Sequence, residues 1–365
     1  MTLLASEPKS TSEPTSTSEP MQPDPAAIFS ALARGDYDSQ QMQRLFHGRG
    51  HTFPGLDFIT VDWYPPALFI CVFRPVEQSW LDALVEQVWD RQQTWVNAGQ
   101  TEIRSTVGQT DDEEIAGQTE SDGSQDQTKQ DRQKSQVKAL VLQRRQGADT
   151  VSVVVKGELP KPHVVKEKDR QIYVQLNQSQ NVGVFPDMIN GRDWVCAHSE
   201  QRNVLNLFSY TCLFSVAAMQ GGASGVVNVD MNKSVTATGR KNHQLNELDM
   251  GRVKFFSHNI FNSWGKIKRH GAYDLIIVDP PSFQKGSFVL TKDYQRLIKR
   301  LPELALDNAD VMLCLNSPEV DSSFLLALVV EHCPQLRFVQ RLDNHSDFPE
   351  KNPQKSLKVL LFKFD

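Results

Sequence analysis

Five polar segments interrupt apolar runs in the second half of this chain, at spacings that could bring them to one edge of a sheet. Asp279-Pro280-Pro281-Ser282-Phe283 ends the run from Tyr273 to Val278. Two prolines there stiffen the backbone and remove two N–H donors, so the remaining polar groups can face a ligand. Upstream, the run from Asn203 ends in Asn206-Leu207-Phe208-Ser209-Tyr210-Thr211, and the run from Gly225 ends in Asp230. Asn259 follows the run Val253–Phe256, and Asn316 closes the run from Asp310. The carboxyl edge of an open α/β sheet is where such folds bind ligands.

An acid at the tip of the second strand can accept hydrogen bonds from both hydroxyls of a ribose. No G-x-G-x-x-G accompanies it, which argues against a loop that cradles a pyrophosphate. A nucleoside cofactor without a pyrophosphate needs no such loop, and S-adenosylmethionine is the candidate. Asn259 would then lie near the adenine edge. If the acceptor is a nucleic-acid base, as the family resemblance given below implies, Asp279 and Asn316 would hold its edge, with Phe283 stacking on it. Methylation at carbon-5 of a pyrimidine calls for a cysteine thiolate. The nearest thiols, Cys314 within its strand and Cys212 after the first motif, read as core residues, so a covalent mechanism is disfavoured. A base nitrogen already carries a lone pair and needs mainly alignment. Lys285, Lys292, Arg296, Lys299 and Arg300 could meet phosphates, although a solvated helix face is the simpler reading.

These segments need an alternating strand–helix scaffold. Strands are expected at Asn203–Phe208, Gly225–Asp230, Val253–Phe256, Tyr273–Asp279 and Asp310–Asn316, with helices at Phe214–Gln220, Lys233–Leu245, Lys292–Leu306 and Ser322–Cys333. Such alternation predicts an α/β fold with a mostly parallel sheet and helices on both faces. Arg337–Leu342 and Leu357–Phe364 follow each other without a helix, which predicts an antiparallel pair at or near the edge. The catalytic unit is thus expected over residues 201–365, with a β region at 137–200 leading into it. A small α+β domain is expected over 26–96, with helices at Ala26–Arg34, Gln40–Phe46 and Ser79–Val96 and strands at Gly55–Asp62 and Ala67–Phe73. Residues 1–25, with Ser-Glu-Pro three times, and the polar stretch 97–136 have almost nothing to bury and are expected to be disordered.

Composition fits a reduced, cytoplasmic protein. The five cysteines have no C-x-x-C spacing, the nine histidines form no metal pattern, and no run of about 18 apolar residues suggests a membrane span. Charge is uneven: residues 1–137 hold 10 Lys+Arg against 21 Asp+Glu, whereas 138–365 hold 29 against 23. The second part could therefore meet a polyanion.

The stretch 181–365 resembles the class I S-adenosylmethionine-dependent methyltransferases, in particular the branch acting on bases of large-subunit ribosomal RNA. Asn206–Thr211 resembles the first cofactor motif, Asp230 the ribose-binding acid and Asp279–Phe283 the D-P-P-x-F signature. Asn181–Met188 with Gly191-Arg192 resembles the segment that closes over the cofactor. The likeness implies a Rossmann-like seven-stranded sheet with an antiparallel C-terminal strand, and ribosomal RNA as partner. It implies cofactor contacts from Phe185, Asp187, Arg192, Asn206, Phe208, Ser209, Tyr210, Thr211, Asp230, Asn259 and Asp279, and catalytic roles for Asp279, Asn316 and Phe283. Three departures stand out. Cys212 and Leu213 replace glycine after the first motif and would narrow the methionine end of the site. Asn259 replaces an acid. No RNA-binding barrel is evident at the N-terminus. Methylation of a protein or small molecule, or cofactor or RNA binding without catalysis, are the alternatives.

Overall fold

In the computed structural model the described residues are 22–35, 37, 40–105, 137–146, 149–178, 180–284 and 288–365. The expected tail through residue 21 and most of the expected disordered insertion lie outside them, as does Lys285.

The N-terminal elements are α1 (Ala26–Ala33), β1 (Gln43–His47), β2 (Ile59–Tyr64), β3 (Ala67–Val72), α2 (Gln78–Ser105), β4 (Ala139–Gln146) and β5 (Asp149–Gly157). They form one sheet in the order β1-β2-β3-β4-β5, parallel only between β3 and β4. A parallel neighbour needs a crossover, and α2 begins it. Alternate residues serve opposite faces. Leu68, Ile70 and Val72 pack with Leu32 and Leu84 of the two helices. Ala67, Phe69 and Cys71 pack toward Val165, Ile172 and Val184 of the following segment.

Three sequence expectations change here. Gln40–Phe46 holds most of β1, not a helix: the backbone groups of this stretch are satisfied by pairing with β2, which sets Arg44 Nε 2.5 Å from Asp62 Oδ1. The strand expected from Gly55 starts at Ile59, after a turn in which Gly55 has φ +77°. The boundary drawn at residue 137 cuts through a sheet, since β4 and β5 extend β1–β3.

Next come the hairpin β6 (Val164–Glu167) and β7 (Arg170–Tyr173), then α3 (Ile189–Ala197). The C-terminal elements are β8 (Asn203–Leu207), α4 (Leu213–Gln220), β9 (Gly225–Val229), α5 (Lys233–Leu245), β10 (Val253–Phe256), α6 (Trp264–Arg269) and β11 (Tyr273–Val278). They continue with the short hairpin β12 (Phe283–Gln284) and β13 (Phe288–Val289), then α7 (Leu290–Ile298), β14 (Ala305–Leu315), α8 (Ser322–His332), β15 (Leu336–Leu342) and β16 (Lys358–Phe364). The seven-stranded sheet runs β10-β9-β8-β11-β14-β16-β15, with β16 antiparallel to both neighbours. Leu205, Ile276 and Leu313 face α6, α7 and α8, while Val204, Ile277 and Met312 face α3 and α4. The antiparallel final pair is as expected. The helix expected over Lys292–Leu306 is not: it ends at Ile298, because Pro302 cannot continue an α-helix, and β14 already starts at Ala305.

The strand order reverses between β8 and β11, and a ligand crevice forms at such a switch point. The β15–β16 connection reaches back to the small sheet. Lys351 N donates to Gly50 O at 2.8 Å, and the Arg44 guanidinium lies 4.9 Å from the Phe348 ring centroid. Gly50 is required there, since a Cβ would lie 1.8 Å from Pro349 O. Among the described residues no helix is long and apolar enough to cross a membrane, and no cluster of three or more His, Cys, Asp or Glu could hold a metal.

Candidate active site

A cavity of about 520 Å³ opens at the carboxyl edge of the large sheet, where β8, β9, β11 and β14 end. Its wall includes Asp187, Asp230 and Asp279 and, among the described residues, no lysine, arginine or histidine. Phe185, Phe208, Tyr210 and Asn316, all expected at the site, line it as well.

The loop after β8 is built under strain. Phe208, Tyr210 and Cys212 have φ of +57°, +45° and +61°, a region that disfavours side chains. The contacts that hold it are specific. Tyr210 N donates to Asp230 Oδ2 at 3.0 Å, and Ser209 N to Val229 O at 3.1 Å. Tyr210 Oη accepts from Gly183 N at 3.1 Å, and Thr211 Oγ1 donates to Gly183 O at 2.7 Å. These bonds dock segment 181–185 on the loop. Ser209 and Thr211 thus shape the wall without lining it.

The left-handed conformation of Cys212 is one that glycine would adopt freely, but its side chain does not narrow the cavity. It is fully buried between α4 and α5 against Gly239, where a Cβ would lie 2.4 Å from Cys212 Sγ. Cys212 and Gly239 therefore form a matched pair. Gly239→Ala should cost about 1–3 kcal/mol of stability, read as a lowered Tm, and adding Cys212→Gly should restore most of it. No recovery in the double variant would show that the two positions are not matched.

Asp230 is anchored on two sides, since Oδ1 accepts from Asn232 N at 2.8 Å. Burial raises its pKa and the two backbone donors oppose that. Burial and the neighbouring Asp187 push Asp279 up to about 7, against the pull of Arg192. Asp187 is itself raised by burial, opposed by Arg44, Arg192 and His47. Three carboxylates whose ionised forms are all disfavoured share one cavity without a cation in its wall among the described residues. Such a site suits a positively charged ligand.

Several expected residues fall elsewhere. Asn206 is buried beneath α4, where its Nδ2 donates to Asn228 Oδ1 at 2.9 Å, and Asn228 Nδ2 donates to Ser215 Oγ at 2.9 Å. Arg192 is buried in an ion pair with Glu167 and donates to Phe185 O at 3.1 Å, so it positions Phe185 from behind. Asn259 caps the following turn, accepting from Asn262 N at 3.3 Å, outside the cavity wall. Phe283 is 67% exposed on its hairpin and does not line the cavity. Arg296 and Arg300 pair with Asp293 and Glu303, as a solvated helix face would.

Other residues at the site escaped the sequence reading. Asn232 lines the cavity and caps α5 through Ser234 N at 3.0 Å. Tyr294 Oη donates to Cys314 O at 2.8 Å and sits 3.4 Å from Val278 O, bracing the ends of β11 and β14. Lys358 is wholly buried. Its Nζ donates to Ser317 O at 2.7 Å and Ser356 O at 2.9 Å, which fixes the turn after Asn316, and burial lowers its pKa to about 8.

A family model for S-adenosylmethionine-dependent methyltransferases matches residues 110–363. Ribosomal RNA large subunit methyltransferase I of Aeromonas salmonicida is 32% identical over 149 residues, 40% of this chain and 38% of that protein. Ribosomal RNA large subunit methyltransferase K/L of a Psychrobacter species is 37% identical over 147 residues, 38% of this chain and 18% of that protein. The matched region thus spans less than two fifths of either relative. A Streptococcus mutans protein assigned as a methyltransferase superposes with a TM-score of 0.69 at 22% identity, over 94% of this chain and 83% of that one. A second protein so assigned, crystallised with SAH, gives 0.67 at 24%, over 93% and 78%. Those two likenesses speak to the fold. The family model spans both the small sheet's last strands and the whole cavity edge, and a cation-seeking cavity at a sheet's switch point suits a sulfonium cofactor: the chain belongs to the S-adenosylmethionine-dependent methyltransferases.

Proposed function

We propose that this methyltransferase acts on a nitrogen of a purine base in RNA, with ribosomal RNA as the substrate and the cytoplasm as the place of action. The observation that carries the choice of atom is the absence of a usable thiol at the cavity. Cys314 is fully buried two residues before Asn316, with its pKa driven well above the ordinary value by desolvation. Burial pushes the Cys212 thiol up to about 12. Neither lines the cavity wall, which offers Asp279 and Asn316 instead. A carboxylate and an amide can hold the edge of a base whose nitrogen needs alignment more than activation. The names of the two relatives support RNA as the acceptor.

Bound S-adenosylmethionine supplies an electrophilic methyl group on a sulfonium. Asp230 would accept from the ribose hydroxyls, with Asn232 beside it. Phe208 and Tyr210 would pack against the cofactor. Asp187 and Asp279 would face its positive charge. Arg192 and Thr211 act by positioning the segments that carry Phe185 and Tyr210.

The test is labelled-methyl transfer to ribosomal RNA and ribosomal particles from a strain lacking the protein, followed by nucleoside analysis. A methylated purine is expected. 5-Methylcytidine would overturn the nitrogen assignment. No label in RNA, with label in a protein or small molecule, would overturn the substrate class.

A further inference from the structure

A second cavity, of about 610 Å³, lies between the small sheet and the catalytic edge. It shares Asn181, Phe185, Asp187 and Asn316 with the first, so the two adjoin. Their charges differ. Among the described residues the first holds three aspartates and no cation, whereas the second sets Arg44, His47, Arg49, His51, Arg145 and Lys355 against the carboxylates of Asp57, Asp62, Asp187 and Glu350.

Some of this charge is already matched. Arg44 pairs with Asp62, and His47 Nε2 lies 3.4 Å from Glu350 Oε1. Arg49 and Arg145 are different. Among the described residues neither has a carboxylate oxygen within 4.0 Å, yet both converge on one ring: their guanidinium carbons lie 4.2 and 5.3 Å from the Phe73 centroid. Two like charges are thereby held near each other at the cost of mutual repulsion. Arg145 is also aimed, because it donates to Gln180 O at 2.6 Å and Gln143 Oε1 at 2.5 Å. Gln180 is itself part of the first cavity's wall. A pair of guanidiniums fixed on an aromatic platform, without a carboxylate, is an anion clamp.

Resting on the reading of RNA as acceptor, we propose that this cleft is the acceptor-strand site, with Arg49 and Arg145 on Phe73 gripping a backbone phosphate. The acid-lined cavity repels phosphate and admits an uncharged base. The clamp attracts phosphate. Together they set the strand's orientation, backbone on the small sheet and base toward Asn316.

The experiment uses the full chain and a 20-nucleotide single-stranded RNA of mixed sequence, with binding measured across a salt series and S-adenosylhomocysteine affinity measured alongside. In the Arg49→Ala/Arg145→Ala variant, RNA affinity at low salt should fall about tenfold or more. The slope of log K against log salt should flatten by roughly 0.7, since the one phosphate charge left unneutralised on a single strand removes about that much. S-adenosylhomocysteine affinity should stay within about twofold, and Arg49→Lys/Arg145→Lys should keep the slope. Arg296→Ala, on α7 away from the cleft, should leave RNA binding unchanged. If wild type binds RNA and the double variant binds equally with the same slope, the clamp is overturned while the RNA reading stands. If wild type binds no RNA at low salt, the RNA reading falls and takes the clamp with it. Should the double variant fail to fold, Arg49→Gln, at an exposed side chain, carries the same test with half the slope change.

Discussion

Asp279→Ala should lower the methyl-transfer rate constant about 10³-fold, with a loss of about tenfold in cofactor affinity. Asp279 follows the last residue of β11, stands among three prearranged carboxylates, and shares the cavity wall with Asn316. Removing one preorganised charged group at a reacting centre typically costs 10²–10³ in rate. Loss of base alignment adds to that here. The larger fall should be in kcat, because Asp187 and Asp230 still attract the cofactor's positive charge. A variant within tenfold of wild-type kcat would remove Asp279 from the catalytic set.

The same carboxyl predicts a pH dependence. Its folded pKa, about 7, lies above the ordinary 3.8. Between those values the folded protein keeps a proton that the unfolded chain releases, so the apo protein loses stability from this group as pH rises from 4 to 7. Cofactor binding runs the other way. A cationic ligand needs the ionised form, and below pH 7 that form is the minor one. The Kd for S-adenosylmethionine should therefore rise about tenfold between pH 8 and pH 6. Asp187, Arg192, Tyr294 and Cys314 are the titratable and charged groups that interact with Asp279. Asp187 is the one that could mimic it, so Asp279→Asn is the decisive control. That variant should abolish the dependence, and its persistence would move the titration to Asp187.

Much of this was legible in the chain itself, for a definite reason. Fully buried parallel strands read as apolar runs, and the residue at which each run turns polar marks the sheet's carboxyl edge. That signal located Asp230, Asp279 and Asn316. It could not resolve faces within the edge. Asn206 precedes the first turn by two residues and looks like a tip residue, but pleating turns it under α4 to a partner, Asn228, on the neighbouring strand. Arg192 reads as a free cation until its partner Glu167, 25 residues away, is known. Phe283 belongs to a hairpin of two-residue strands, below the length at which alternation carries information. The basic cleft was least legible. Arg44, Arg49 and Arg145 come from β1, the turn after it and β4, and only sheet pairing across the crossover begun by α2 brings them to one surface. Attention to the lysines and arginines nearest the Asp-Pro-Pro segment led instead to α7 and the turn beyond it, where Arg296 and Arg300 are already paired.

Asp230→Ala should weaken cofactor binding about 100-fold and also loosen the loop after β8. Two hydrogen bonds from ribose hydroxyls to a buried carboxylate contribute about 1.5–3 kcal/mol each, and non-additivity keeps the joint loss at about 3 kcal/mol. The same carboxylate holds Tyr210 N and Asn232 N, so its removal leaves two backbone donors without their acceptor. Tyr210 already sits at positive φ, and an unsupported loop would relax that strain by moving the Tyr210 ring away from Phe185, 5.3 Å distant. Asp230→Asn separates the two effects. It retains an acceptor for one backbone donor and one hydroxyl, so it should keep most of the stability while losing about tenfold in affinity. Calorimetric titration with S-adenosylhomocysteine, paired with thermal denaturation, reads both. An alanine variant that binds within threefold of wild type would remove Asp230 from the ribose site. A variant that loses affinity only in proportion to its lost stability would make Asp230 a brace for the loop and leave Asn232 as the ribose contact to test.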